Sequence, residues 1–241
     1  MKLRKFMFSA GAILLLVLMS ACAGGGNEAA QTPEPPVTAE APSAADELPP
    51  GPQNAEPPED EGMVAQAPVT GEVVVTLDYE KQSGSASNQY AVWIEDLNGN
   101  LIKTLYATRW TANGGYKSRP DSIALWVEKT DLGSMPKSEV DAVSGATPRA
   151  GTQSYTWDLT DIDGAMVPPG DYRFFVEGTL RWKNYVLYSG AIPIGSDPSE
   201  ARGVANFVYE GSDRYGALTE DSPENNMIAN VIVTFDPDAG S

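Results

Sequence analysis

The residues best suited to chemistry in this chain lie together at Asp141-Ala142-Val143-Ser144-Gly145-Ala146-Thr147. Ser144 and Thr147 supply two hydroxyls, and between them stand Gly145 and Ala146, side chains that hinder a close approach to the backbone least. A threonine hydroxyl on so slim a segment is a place where a group can be attached covalently, provided the segment lies on an exposed loop. Little else competes with it. The chain has no histidine, so the commonest general base is missing. Its single cysteine, Cys22, lies near the N-terminus. No nucleophilic triad, phosphate loop or thiolate metal site can be assembled from what remains, and the expectation is a carrier or a binding module rather than a catalyst. The same heptapeptide also suits a structural role, with Asp141 capping a turn and Ser144-Gly145 forming one.

A second candidate is Asp158-Leu159-Thr160-Asp161-Ile162-Asp163-Gly164. Oxygen ligands from Asp158, Asp161 and Asp163 beside a glycine are the raw material of a calcium site, although the later bidentate glutamate of an EF-hand loop is missing and aspartates are ordinary turn residues. Five tryptophans offer another kind of surface. Trp93 and Trp157 stand in strand patterns and are read as core, whereas Trp110 and Trp182 have polar neighbours and are candidates for exposure.

These residues must be positioned by a domain that begins well inside the chain. Lys2, Arg4 and Lys5 precede a short apolar run, Gly11 to Leu18, too short to span a bilayer. Leu18-Met19-Ser20-Ala21-Cys22 then resembles a bacterial lipoprotein signal, which implies removal of residues 1–21 and lipid on the Cys22 sulfur. With more than one acyl chain the anchor holds stably to a membrane without a transmembrane helix. Cleavage takes the formal charge from −17 to −20, a polyanion with no affinity for nucleic acid. From Cys22 to Thr70 the chain is rich in proline and glutamate and holds no aromatic residue, lysine or arginine. Such a stretch buries too little apolar surface to offset its ordering entropy, and it reads as a disordered spacer.

Residues 71–241 read as one domain. Val73-Val74-Val75-Thr76-Leu77-Asp78-Tyr79 opens a series of β-prone runs. Tyr90 to Glu95 and Leu101 to Tyr106 flank Asn98-Gly99, a strong hairpin signal. Ser154 to Leu159, Asp171 to Glu177, Tyr185 to Ile194 and Met227 to Phe235 supply further strands. Ser118 to Thr130 fits either a strand or a short helix, and the helix is preferred. Short strands with turns between them predict an all-β, immunoglobulin-like antiparallel sandwich with room for one short helix. With one cysteine no internal disulfide is available, so the core must hold the domain.

Trp157-Asp158, Asp163-Gly164 and Pro168-Pro169-Gly170-Asp171-Tyr172 resemble the immunoglobulin-like domains of the flagellar hook-cap scaffolding family. That likeness implies a core tryptophan and a corner that starts the next strand. Over roughly residues 71–236, the order of Ala91 to Asp96, Asn98-Gly99, Lys103-Thr104-Leu105, Trp126, the heptapeptide and Trp157-Asp158 resembles a predicted periplasmic family, domain of unknown function 2271. The heptapeptide is itself similar to the Asp-x-x-Ser-Gly-Ala-Thr pattern that flavin transferases recognise in extracytoplasmic flavoproteins. The resemblance implies covalent FMN on Thr147, with Asp141, Ser144, Gly145 and Ala146 as recognition residues. It also implies a flavin transferase as partner, and membrane or extracellular electron-transfer proteins as donors and acceptors. A non-enzymatic binding or scaffolding module is the alternative expectation.

Overall fold

The computed structural model describes residues 69–84, 86–211 and 215–239. The signal segment 1–21, Cys22 and the spacer up to residue 68 lie outside the described residues. The chain divides into a unit Met1–Glu59 and a unit Asp60–Ser241, and the described residues all fall in the second.

Strands dominate. A four-stranded sheet has the order β5-β1-β10-β8, from β5 (Gly151–Trp157), β1 (Glu72–Tyr79), β10 (Ile228–Asp236) and β8 (Ser199–Arg202). A six-stranded sheet has the order β4-β3-β2-β6-β7-β9. Its members are β4 (Ser144–Gly145), β3 (Leu101–Thr108), β2 (Gln89–Glu95), β6 (Gly170–Arg181), β7 (Asn184–Ile194) and β9 (Val204–Val208). Every pairing is antiparallel except that of β3 with β4, which is parallel. The all-β sandwich expected from the sequence is present.

Period-two patterning builds the core between the sheets. In β1, Val73, Val75, Leu77 and Tyr79 are buried and alternate with half-buried residues. They meet Tyr90, Val92 and Ile94 of β2 and Tyr172, Phe174, Val176 and Leu180 of β6. Between β2 and β3 the chain turns at Asp96–Asn100, where Gly99 takes φ +85°, a conformation glycine adopts without a steric penalty.

β2 is buried along its whole length, because the outer face of the six-stranded sheet is also covered. The cover is the segment between β3 and β4. It contains α1 (Arg109–Ala112), α2 (Ala124–Lys129) and α3 (Lys137–Val143), with a single 3-10 turn at Gly115–Lys117. The short helix expected within Ser118 to Thr130 is present as α2, and α1 and α3 are two further short helices. The physical reason is the outer face itself. Ala91, Trp93 and Phe175 would lie in water without a lid, and Ala112, Ile123, Trp126, Leu132 and Val140 close over them as a second core.

β8 and β9 were not read from the sequence. They alternate between half-buried and exposed or lie mainly exposed, so no apolar run marks them. Both are edge strands.

Candidate attachment loop

The heptapeptide spans the place where the chain leaves one sheet for the other. Asp141 is in the last turn of α3, exposed, with its carboxylate 3.5 Å from the Lys137 ammonium one turn earlier. At Ser144 the backbone becomes extended, with φ −105° and ψ 134°, and Ser144-Gly145 pairs with Ala107-Thr108 of β3. Ala146 and Thr147 are exposed, and the irregular segment 146–150 carries the chain across to β5 in the opposite sheet. The turn expected of these residues is thus corrected. Asp141 is helical and ion-paired, and Ser144-Gly145 is a short parallel strand. Thr147 does lie on an exposed loop.

Gly145 has a specific reason to be glycine. A Cβ there would stand 2.6 Å from Cε2 of Tyr106, so any side chain would have to displace that ring. The Tyr106 hydroxyl donates to the Ala146 carbonyl at 2.9 Å and reaches the Gly145 carbonyl at 3.4 Å. Asn113 Nδ2, just after α1, lies 3.5 Å from the Ser144 hydroxyl. The residues that hold this loop in place come from β3 and the end of α1, more than thirty positions upstream, and nothing local in the sequence marks them.

Tyr106 belongs to a tyrosine cluster that fills this side of the sandwich. Its ring stacks on Tyr155 of β5 with centroids 4.9 Å apart and an interplanar angle of 29°. Tyr90 lies 5.0 Å from Tyr106, and Tyr79 lies 5.3 Å from Tyr90. The hydroxyls of Tyr90 and Tyr155 contact one another directly. Burial raises the pKa of all four phenols, those of Tyr79 and Tyr155 to about 12, so the cluster is neutral around pH 7.

The acidic segment after Trp157 is a braced turn. Asp158 Oδ1 accepts from the backbone and hydroxyl of Thr160, and Asp161 Oδ1 accepts from the backbone N–H groups of Asp163 and Ala165. The Lys103 ammonium bonds the Thr160 hydroxyl and the Asp161 carbonyl, both at 2.8 Å. Asp158, Asp161 and Asp163 do not converge, and no group of three acidic side chains suited to a metal occurs among the described residues.

Trp93, Trp126 and Trp157 are buried. Trp110 is 47% exposed, with the Arg119 guanidinium 4.8 Å from its ring centroid. Trp182 is half-buried and stacks on Tyr215. A broad, open cleft of about 700 Å³ runs along the outer face between the β2–β3 hairpin and α2. Trp93 stacked on Phe175 and the Glu95–Lys129 ion pair line it. Sequence reasoning did not anticipate this cleft, because it joins residues from four separate segments.

No helix among the described residues is long and apolar enough to cross a membrane. No curated protein matches the chain, and no solved structure does. One family profile does, described as "Predicted periplasmic protein (DUF2271)", over residues 71–207. The match is more than half of the chain and runs from the start of β1 into β9, with the helical cover and the heptapeptide inside it. The chain belongs to this predicted periplasmic family, domain of unknown function 2271.

Proposed function

We propose that this protein is a lipid-anchored extracytoplasmic carrier of FMN, held covalently on Thr147. The observation that supports this reading most is the position of Thr147. It is exposed on the crossover between the sheets, next to a glycine and an alanine, with Asp141 exposed one helical turn before the loop begins. An enzyme can reach this hydroxyl without opening the fold. The Thr147 oxygen would bond to the FMN phosphorus of FAD, the pyrophosphate bond would break, AMP would leave, and the hydroxyl proton would pass to the transferase. FMN would then supply all the redox chemistry, and the sandwich would supply attachment, orientation and shielding. Its partners on this reading are a flavin transferase and electron-transfer proteins of the membrane or beyond it. Cys22 would tether the domain, and the spacer would lift it off the surface.

Intact mass of the mature chain, co-expressed with a flavin transferase, tests the attachment. The expected result is an FMN-sized addition on wild type and none on Thr147→Val, which keeps the shape and removes the oxygen. Asp141→Ala should reduce loading while leaving the acceptor in place. Wild type without the addition would defeat the carrier reading. Detergent phase separation tests the tether, with wild type expected in the detergent phase and Cys22→Ala in the aqueous phase. If both stay aqueous, the tether is wrong.

A second reading has its own support in the cleft along the outer face. The open concavity, with the half-buried Lys129 of the Glu95–Lys129 pair on its wall over the buried Trp93 and Phe175, suits a small polar ligand, as in a non-enzymatic binding or scaffolding module. That reading stands if Thr147 is never modified.

A further inference from the structure

We propose that the stacked pair Tyr106–Tyr155 is the seat on which a flavin attached at Thr147 packs its ring system. The proposal rests on the attachment reading and adds where the ring goes and which residues shape its environment.

The first ground is position. The Tyr106 hydroxyl is bonded to the carbonyl of Ala146, the residue before Thr147. Tyr106 is on β3 and Tyr155 on β5, in opposite sheets, and segment 146–150 bridges those sheets. The pair therefore fills the side of the sandwich that the acceptor loop crosses. Both rings are only partly buried, although they pack against the main core. The ribityl phosphate tether is flexible enough to fold an isoalloxazine back onto them.

The second ground is chemistry. An isoalloxazine left in water exposes two large apolar faces, and an offset aromatic stack covers one of them. The tyrosines are neutral, so the flavin meets no fixed negative charge there. The surroundings are equally unusual for this chain. Acidic residues outnumber basic ones by 33 to 16, yet from Ala142 to Trp157 there is no carboxylate and one arginine, Arg149. Arg109, the first residue of α1, lies close enough for its charge to act on the Tyr106 hydroxyl. Two cations beside the loop favour the negative phosphodiester and a flavin that gains electrons.

The neighbouring groove lined by Tyr116, Lys117 and Lys137 is the competing seat. It lies against Lys137 and Val140 of α3, before the heptapeptide enters β4, and its lining does not include residues 146–150. Tyr106 of the pair touches that segment directly, through the Ala146 carbonyl.

The test begins with chains whose FMN loading is verified by intact mass, so failure of attachment is seen first and separately. Time-resolved flavin emission is then recorded. A tyrosine in contact with an excited flavin donates an electron to it and quenches emission, and phenylalanine, which stacks equally well, does not. Loaded wild type should emit weakly and briefly compared with the flavin-bearing peptide released by proteolysis. Tyr106→Phe combined with Tyr155→Phe should lengthen the emission several-fold, and Tyr116→Phe should leave it unchanged. Thermal melts check that the variants remain folded, and each single Phe variant, which disturbs fewer hydrogen bonds, should give a partial gain. Loaded wild type as bright as the free peptide would overturn the proposal. So would a folded, loaded double variant with unchanged emission, or a gain that appears only in Tyr116→Phe.

Discussion

Replacing Trp157 with alanine should cost about 3–5 kcal/mol of stability, the range for truncating a buried aromatic side chain. The ring is 1% exposed and stands at the end of β5, paired in register with Val73 of β1. It meets Tyr172 edge-on, with centroids 5.2 Å apart, and its Nε1 donates to the Thr160 carbonyl at 2.8 Å. The Tyr172 hydroxyl in turn donates to the Pro168 carbonyl at 2.7 Å. Truncation therefore opens a cavity, frees the turn between β5 and β6 at Thr160, and removes the ring against which Tyr172 packs. Denaturant melts should show a lower midpoint with an unchanged slope. Trp157→Phe, which keeps most of the ring and loses only the N–H bond, should cost clearly less. A loss below about 1 kcal/mol for the alanine variant would place the ring outside the core.

Trp157 was legible in the sequence because its cause is local: a β-prone run, then a turn rich in aspartate, proline and glycine. The same holds for β1, the β2–β3 hairpin, β6 and β7, where alternating apolar residues meet turn signals. The helical cover was not legible in the same way. Its helices are short, and the residue that precedes α2, Ile123, is β-branched, stands at φ +41° and makes no side-chain cap. The N–H groups at its start are satisfied from β6. The Thr179 hydroxyl accepts from Ile123, and the Glu177 carboxylate accepts from Leu125 and Trp126, more than fifty positions away. No reading of a short window contains that partner. The heptapeptide divides along the same line. Its residue types and spacing were visible, and so was the need for an exposed loop. That Gly145 yields to Tyr106, and that Tyr106 reaches Tyr155, depends on strands from two sheets meeting. In the acidic run after Trp157, aspartates that brace a turn and aspartates that hold a cation look alike until their oxygens are placed, and those of Asp158 and Asp161 brace the turn.

Glu177 gives the second large effect. It is 1% exposed, and its carboxyl is pushed up to about 7 by burial, although backbone N–H groups of Ala124, Leu125 and Trp126 pull in the other direction. Glu177→Ala should cost roughly 2–4 kcal/mol, because it leaves those donors buried without partners. The pH dependence separates this from simple loss of packing. The folded chain holds the Glu177 proton more tightly than the unfolded chain, whose value is the ordinary 4.5. This stabilising contribution is complete below 4.5 and is lost as the pH rises through about 7. From this group alone, stability should fall by a few kcal/mol between about pH 5 and pH 8. Glu177→Gln isolates the buried group. It keeps the shape and one acceptor oxygen, lowers stability moderately at acidic pH, and should flatten the profile so that the two chains converge toward pH 8. Melts of both chains across that range measure the difference. Parallel profiles would mean that Glu177 is ionised throughout, with the N–H groups at the start of α2 outweighing the cost of burying its charge.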